Sequence, residues 1–317
     1  MKSEKTLSAE KPMRIKKRKF DLDNFQLWIL AIIPTLAVII FAYLPMGGIV
    51  IAFKDYNYRD GIFGSPWVGL DNFKFMLTTP TFARIAKNTI FMNILMIGLG
   101  TLSSVIMALL LFQFKSRTST KIYQTVMITP HFLSWVVVSY MAYALLHTTN
   151  GTLNQLLEAV GMKPVDWYGE PGKWPGILTV AYIWKYIGMD SLIYYAALMG
   201  VDSSLIEAAQ IDGANKLQVN RYIMIPCLAG ILCIQLVIKV GSIFRADFGL
   251  FYQVPRNIGA LYSTTDVIDT YIFRAMRVSG DMGTSSATGL LQSVVGFITV
   301  VVTNFIVTKI DDEKALF

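Results

Sequence analysis

Charge is what this sequence has least of. Of its 317 residues only 15% are Asp, Glu, Lys or Arg, against roughly 25% in an ordinary soluble domain. Histidine and cysteine are almost missing. His131 and His147 lie in unrelated contexts, so no metal site is expected. The cysteines, Cys227 and Cys233, stand six apart in one apolar run. A helix there separates them by about 9 Å along its axis, so they cannot pair with each other and say nothing about redox compartment. Also lacking are a Gly-x-Ser-x-Gly elbow, a His-Glu-x-x-His helix and a Gly-x-x-x-x-Gly-Lys phosphate loop. The chain is therefore expected to be no enzyme, to hydrolyse no ATP and to bind no cofactor of its own.

What the sequence has instead is length of apolar run, with 54% of its residues hydrophobic. Six runs approach the ~20 residues that cross ~30 Å of hydrocarbon. They cover about Leu27 to Ile51, Asn88 to Gln113, Ile122 to Leu146, Ile177 to Met199, Pro226 to Phe244 and Ala287 to Thr308. Helices satisfy their own backbone in lipid, and the ~10-residue alternation of a membrane β-barrel is absent, so an all-α integral membrane protein is predicted. The first run is too long for a cleaved signal and lacks an Ala-x-Ala-like exit, so it is expected to stay as a span. Pro34 and Pro45 are expected to kink it or end it early.

Lys and Arg set the orientation. With the amino terminus inside, Met1 to Gln26, Phe114 to Lys121, Gly200 to Ile225 and Lys309 to Phe317 are cytoplasmic, and these 69 positions hold 15 Lys plus Arg. The 108 positions of the outer segments hold 11. The cluster Arg14, Lys16, Lys17, Arg18 and Lys19 before the first span dominates, so residues 1–26 read as a basic cytoplasmic segment and both termini as cytoplasmic. The sequence pI near 9.2 then reflects anchoring to anionic lipid, not nucleic-acid binding. No internal repeat is visible, and residues 27–317 read as one transmembrane domain.

The inside loop at about 200–226 is the most informative stretch. Ser204 with Glu207 three residues later reads as a capping box that opens a short helix through Ile211. Gly213 is placed to end that helix in a left-handed conformation. A second short helix from about Ala214 to Ile223 then leads to Pro226, which can open the next span because that position needs no amide donor. Two short helices bent at a glycine make a knob that another protein can grip.

Glu207-Ala208-Ala209, Asp212-Gly213-Ala214 and Ile223-Met224-Ile225-Pro226 resemble the cytoplasmic EAA loop of ABC importer permeases. That pattern runs Glu-Ala-Ala, a Gly after three intervening residues, then Ile-x-Leu-Pro, with Ile225 here in place of the usual Leu. Phe41 to Ile49, Trp67 to Phe73, Trp184-Lys185 with Tyr194 to Leu198, Asp266 to Tyr271, and Gly289 to Ser293 are similar to the polysaccharide and complex-oligosaccharide branch of the maltose-type superfamily. The resemblance implies a type I ABC importer permease fold of six transmembrane helices with a cytoplasmic coupling loop, in a bacterial cytoplasmic membrane. It also implies a second homologous permease, two ATPase subunits that carry ATP and Mg, and a solute-binding protein that delivers an oligosaccharide. Glu207, Ala208, Ala209, Asp212, Gly213, Ala214 and Pro226 would then couple this chain to the ATPase.

Ionisable residues within spans are costly and usually face a bundle interior or a wet cavity. Here they are Lys185, Asp190 and Lys239. Lys185 and Asp190 lie about 140° apart around a helix and make no same-face pair. Tyr186, Asp190 and Tyr194 share one face, as do Gln235 and Lys239 on the next helix. Tyr186, Asp190, Gln235, Lys239 and Lys185 are thus the candidates for a sugar path, with interhelical packing as the alternative role. Trp67, Trp167 and Trp174 in the outer loops suit interfacial anchoring or partner docking. A secondary transporter or channel is the rival function; it would be expected to show broken mid-membrane helices and no EAA-type knob.

The orientation is testable. In a cysteine-free variant, single cysteines at Ser3 and Lys314 should resist an impermeant thiol reagent in intact cells, and one at Gly172 should react. The reverse pattern would overturn the inside/outside assignment.

Overall fold

The computed structural model describes residues 22–114 and 116–310. The basic cluster at 14–19 and the last seven residues lie outside the described residues. Among those described the chain is almost wholly helical, with a single isolated bridge between Lys54 and Trp67. Three helical runs are long and apolar enough to cross a membrane unaided, and up to six spans result when each sharply bent pair counts as one.

Contacts divide the chain into two units, the first ending at Ile49. Within that first unit α1 (Leu22–Val38) passes through Pro34 without a break. A π-type turn (Ile39–Tyr43) then ends two residues before Pro45. A second π-type turn, Asn220–Met224, ends two residues before Pro226. The reason is shared: a proline ring collides with the carbonyl four residues earlier, and one wide turn makes room without ending the helix. The expected early stop at Pro45 does not occur, because helical backbone continues to Phe53.

In the second unit the short helix α2 (Asp71–Thr78) is followed by α3 (Pro80–Phe112), which Pro80 opens. Next come α4 (Arg117–Ile128), capped by Ser116, and α5 (Trp135–Leu146), capped by Ser134. These two replace the expected continuous third span. They meet at 97°, after a 3₁₀ turn at Thr129–Phe132.

Beyond α6 (Thr152–Ala159) lies α7 (Trp174–Leu198), the unbroken axis of the unit, which packs most extensively on α3. The helix α8 (Ser203–Ile211) leaves it at 78°. After α9 (Lys216–Val219) and the π-type turn, α10 (Ala229–Gly241) continues at 61° to the preceding helix. The outer segment then holds α11 (Phe248–Gln253) and α12 (Ile268–Arg277), and α13 (Met282–Ile310) returns.

The core of this unit is layered. One cluster, at the start of α7, gathers Met92, Met96, Val138, Trp174, Leu178 and Phe251. A second, at its end, gathers Val105, Leu109, Tyr194, Leu198, Val219 and Met224. Trp174 is 0% exposed and donates to the Trp167 carbonyl, so it is a core residue and not an interfacial anchor. Between the clusters the buried residues of α3 and α7 turn polar: Thr101 and Ser104 on one, Lys185 and Ser191 on the other.

Close approach decides how α4 meets α7. A Cβ on Gly188 would stand 2.0 Å from the Met127 carbonyl oxygen, so only glycine lets the end of α4 lie against α7. Gly188→Ala should lower the midpoint of thermal unfolding of the purified protein, by an overpacking cost of about 1–3 kcal/mol. Gly172→Ala, whose added Cβ meets nothing within 4 Å, should leave it unchanged; equal midpoints for the two would remove this packing account.

Candidate functional site

Lys185 and Tyr186 are the twelfth and thirteenth of the 25 residues of α7, about 18 Å from either end. Two broken helices converge on this midpoint. From one side comes the break between α4 and α5. The Pro130 carbonyl accepts from the Leu133 amide, and Lys185 gathers the carbonyls of the break: Nζ donates to Pro130 at 3.3 Å, to His131 at 2.9 Å and to the Leu133 carbonyl. The ammonium also lies over the rings of Trp135 and Tyr186. A buried cation at the carbonyl end of a helix is favoured by the helix dipole as well as by these bonds.

From the other side comes the non-helical turn 242–247 that ends α10. Asp247 caps α11 through the Leu250 amide. Its Oδ2 accepts from Trp135 Nε1 at 2.8 Å and from the Tyr186 hydroxyl at 2.9 Å. One carboxylate thus ties together the start of α5, the middle of α7 and the start of α11. The main chain of the turn is satisfied from three further helices. Asn93 of α3 donates to the carbonyls of Ile243 and Arg245, Gln292 of α13 to that of Phe244, and Asp269 of α12 accepts from the Ala246 amide. Irregular backbone at this depth survives only when protein or a wet cavity meets its polar groups.

The path candidates divide accordingly. Tyr186 is bound to Asp247, and Lys185 to the carbonyls of the break. Asp190 and Lys239 form an ion pair at 2.5 Å with side chains about one-fifth exposed. Gln235 lies one turn before Lys239, half-buried. The structure brings Lys185 and Tyr186 to one junction and Asp190 and Lys239 to another, about one turn of α7 further in. Sequence reading missed Trp135 and Asp247, and it missed the roles of Asn93 and Gln292. Asn93 and Gln292, polar side chains inside long apolar runs, were the available signal.

At the inner end, α8 is capped by Asp202, whose carboxylate accepts from the Ser204 amide at 2.9 Å. That bond holds its pKa below the usual carboxylate range. The expected Ser204/Glu207 capping box is therefore replaced by a cap two residues earlier, at the point where the chain leaves α7. The box that does form joins Asn215 and Gln218 at the start of α9, each side chain bonding the other's amide. The bend between α8 and α9 is a Schellman motif. Ala214 N bonds the Ala209 carbonyl, Gly213 N bonds that of Gln210, and Gly213 takes φ +83°. Ile206 and Ala209 face the core cluster at the end of α7, while Leu205, Glu207, Ala208, Ile211 and Leu217 are exposed, Ile211 at 87%.

A multi-pass helical protein with a rigid lateral knob at one end and a satisfied polar junction at mid-membrane is built as a transport permease. The chain belongs to the family of binding-protein-dependent transport system inner membrane components, whose pattern matches residues 100–312. It is 32% identical over 275 residues, 87% of this chain and 85% of the relative, to the polygalacturonan/rhamnogalacturonan transport system permease protein YteP of Bacillus subtilis. To Protein LplB of the same organism it is 31% identical over 287 residues, 90% of each. Its fold matches a chain in the crystal structure of a bacterial ABC transporter that imports the acidic polysaccharide alginate, with TM-score 0.83, 29% identity, and 92% and 97% of the two chains covered. It also matches a chain in the crystal structure of a bacterial alginate ABC transporter in complex with alginate pentasaccharide-bound periplasmic protein, with TM-score 0.82, 29% identity, and 91% and 96% of the two chains covered. Broken mid-membrane helices, which the sequence reading assigned to a secondary transporter, thus belong here to an ABC importer permease.

The Asp190–Lys239 pair yields a double-mutant test. Asp190→Leu or Lys239→Met alone strands a partly buried charge and should lower assembled yield and thermal stability, by up to roughly 3 kcal/mol. The double substitution should recover most of the loss. Additive losses in the double variant would show that the two residues act separately.

Proposed function

We propose that this permease moves oligosaccharides or polysaccharide fragments into the cytoplasm, receiving them from a solute-binding protein outside and drawing on ATP hydrolysed by a separate ATPase. The observation that carries the reading is the α8–α9 knob: a bend locked by two nested hydrogen bonds and two caps, presenting apolar and acidic side chains outward. A loop that merely joined two spans has no need of such rigidity. A mechanical contact does, because a movement in a partner must be transmitted without being lost in a flexible link.

In this reading Glu207 and Ala208 form the docking face, and Ala209 seats it on the core. Asp212, Gly213 and Ala214 form the elbow, and Pro226 starts the next span. The partners are a second homologous permease, two ATPase subunits holding ATP and Mg, and the binding protein; this chain itself binds no cofactor. Residues 1–26 are a basic cytoplasmic segment, residues 27–317 the transmembrane domain with its EAA loop at about 200–226, and both termini face the cytoplasm of a bacterial cell. The glycan names of the relatives support the substrate class. The junction on α7 supports the route, with Lys185, Tyr186, Asp190, Gln235 and Lys239 at or beside it.

Gly213→Val tests the coupling. Nothing lies within 4 Å of the position where its Cβ would be built, so the substitution strains only the left-handed backbone, by about 1–2 kcal/mol. The variant should assemble with the ATPase and hydrolyse ATP, yet import glycan several-fold more slowly. Gly213→Asn, which tolerates this conformation, should import near the wild-type rate. Wild-type import by the Val variant with the ATPase bound would take the mechanical role from this loop.

A further inference from the structure

One charged side chain at the junction forms no direct salt bridge, though it acts on Asp269 at longer range. Arg245 sits in the turn 242–247, whose main chain is clamped on both sides by Asn93, Gln292 and Asp269. Its guanidinium is exposed, and its one side-chain hydrogen bond is from Nη2 to Ser293 Oγ at 3.0 Å. Among the described residues no carboxylate lies within ion-pair distance of it. The acids that balance its charge in the sequence are otherwise engaged. Asp247 holds Trp135 and Tyr186, Asp266 pairs with Arg274, Asp281 caps α13 through the Thr284 amide, and Asp269 accepts from Ala246 and Gln292 through one oxygen. The other junction cations are likewise spent, Lys185 on carbonyls and Lys239 on Asp190.

Arg245 opens into a groove of about 360 Å³ between α10 and α13, which also shows Ser242, Phe244, Gln292, Ser293 and Phe297. The two helices touch at its inner end, where a Cβ on Gly241 would stand 2.3 Å from Val300. An unpaired cation at this depth is tolerated only where it faces protein or a wet cavity. Beside Arg245 the groove offers the Ser242 and Ser293 hydroxyl oxygens as acceptors and the Phe244 and Phe297 rings for a C–H surface, with Ile238 and Val300 completing an apolar wall. The guanidinium adds a planar pair of N–H donors that a carboxylate matches and a neutral hydroxyl does not.

We infer that Arg245 reads the carboxylate of a uronate-bearing glycan that enters the groove between α10 and α13, which makes the cargo acidic. The inference rests on the reading of the chain as a glycan importer. It agrees with the acidic polysaccharide carried by the structural relative.

The test uses the complete importer in vesicles, with its own second permease, ATPase and binding protein. The probes are tri-galacturonate and tri-mannuronate, each beside the same trisaccharide with its carboxyls reduced to alcohols. Arg245→Gln should cut uptake of the acidic probe about tenfold or more, the loss of one charge-assisted pair. Arg245→Lys should recover part of it, and assembled yield and binding-protein-stimulated ATP hydrolysis should stay within about twofold, too little to account for that loss. Three results overturn the inference: wild-type uptake by Arg245→Gln, an assembled yield that falls in step with uptake, which would make Arg245 a contact to the second permease, or equal uptake of acidic and reduced probes by the wild type. A wild-type importer that moves no glycan at all would instead remove the glycan reading itself.

Discussion

Lipid offers no partner to a peptide group, and the arrangement at the centre of this protein follows from that constraint. Two of its chain segments abandon helical geometry about halfway along α7, each break exposing carbonyls or amides that would cost several kcal/mol apiece if left in hydrocarbon. The structure meets them with long polar side chains projected from intact helices. Lys185 takes the carbonyls of one break, and Asn93, Gln292 and Asp269 take those of the other, together with its free amide. The neutral and charged donors are not interchangeable here. A lysine serves three converging carbonyls at the end of a helix, whereas an amide suits two carbonyls of a turn.

These side chains also explain why α7 stays straight while its neighbours bend. It carries Gly188 for the close approach of α4, Lys185 for the end of that segment and Tyr186 for Asp247, all within one turn. Breaking α7 would release both broken helices at once. At its end α7 turns through 78° into the Asp202 cap and α8, and the bend from α8 to α9 is held by the Schellman hydrogen bonds and the Asn215–Gln218 box.

Much of this was legible in the residues. Apolar run length located the spans, because a helix must bury about 20 residues whatever surrounds it. Gly213 signalled its left-handed turn, since a glycine just past a helix end commonly takes that conformation. Three readings failed for identifiable reasons. Pro130 in the 3₁₀ turn and the N-cap Ser134 were local signals of the 97° break, but the apolar run continues through them and read as one span. Ser204 matched the capping box, but Asp202, nearer the point where α7 ends, takes the amide. Trp174 has the composition of an interfacial anchor, and only the packing of α3, α5 and α11 around it makes it core.

The sequence by itself determined that this protein lies in a membrane, how many times its chain can cross, and where it offers a rigid knob. Those properties depend on local composition and on neighbours three or four residues apart. Only the tertiary structure decided which polar residues are spent and which are free. Lys185, Lys239 and Arg245 look alike in the sequence, as cations in or beside apolar runs. One is consumed by carbonyls 52 to 55 residues away, one by a carboxylate 49 residues away, and one is left facing a groove. Partners so distant in the chain are brought together by helix packing alone, and no local pattern encodes that choice.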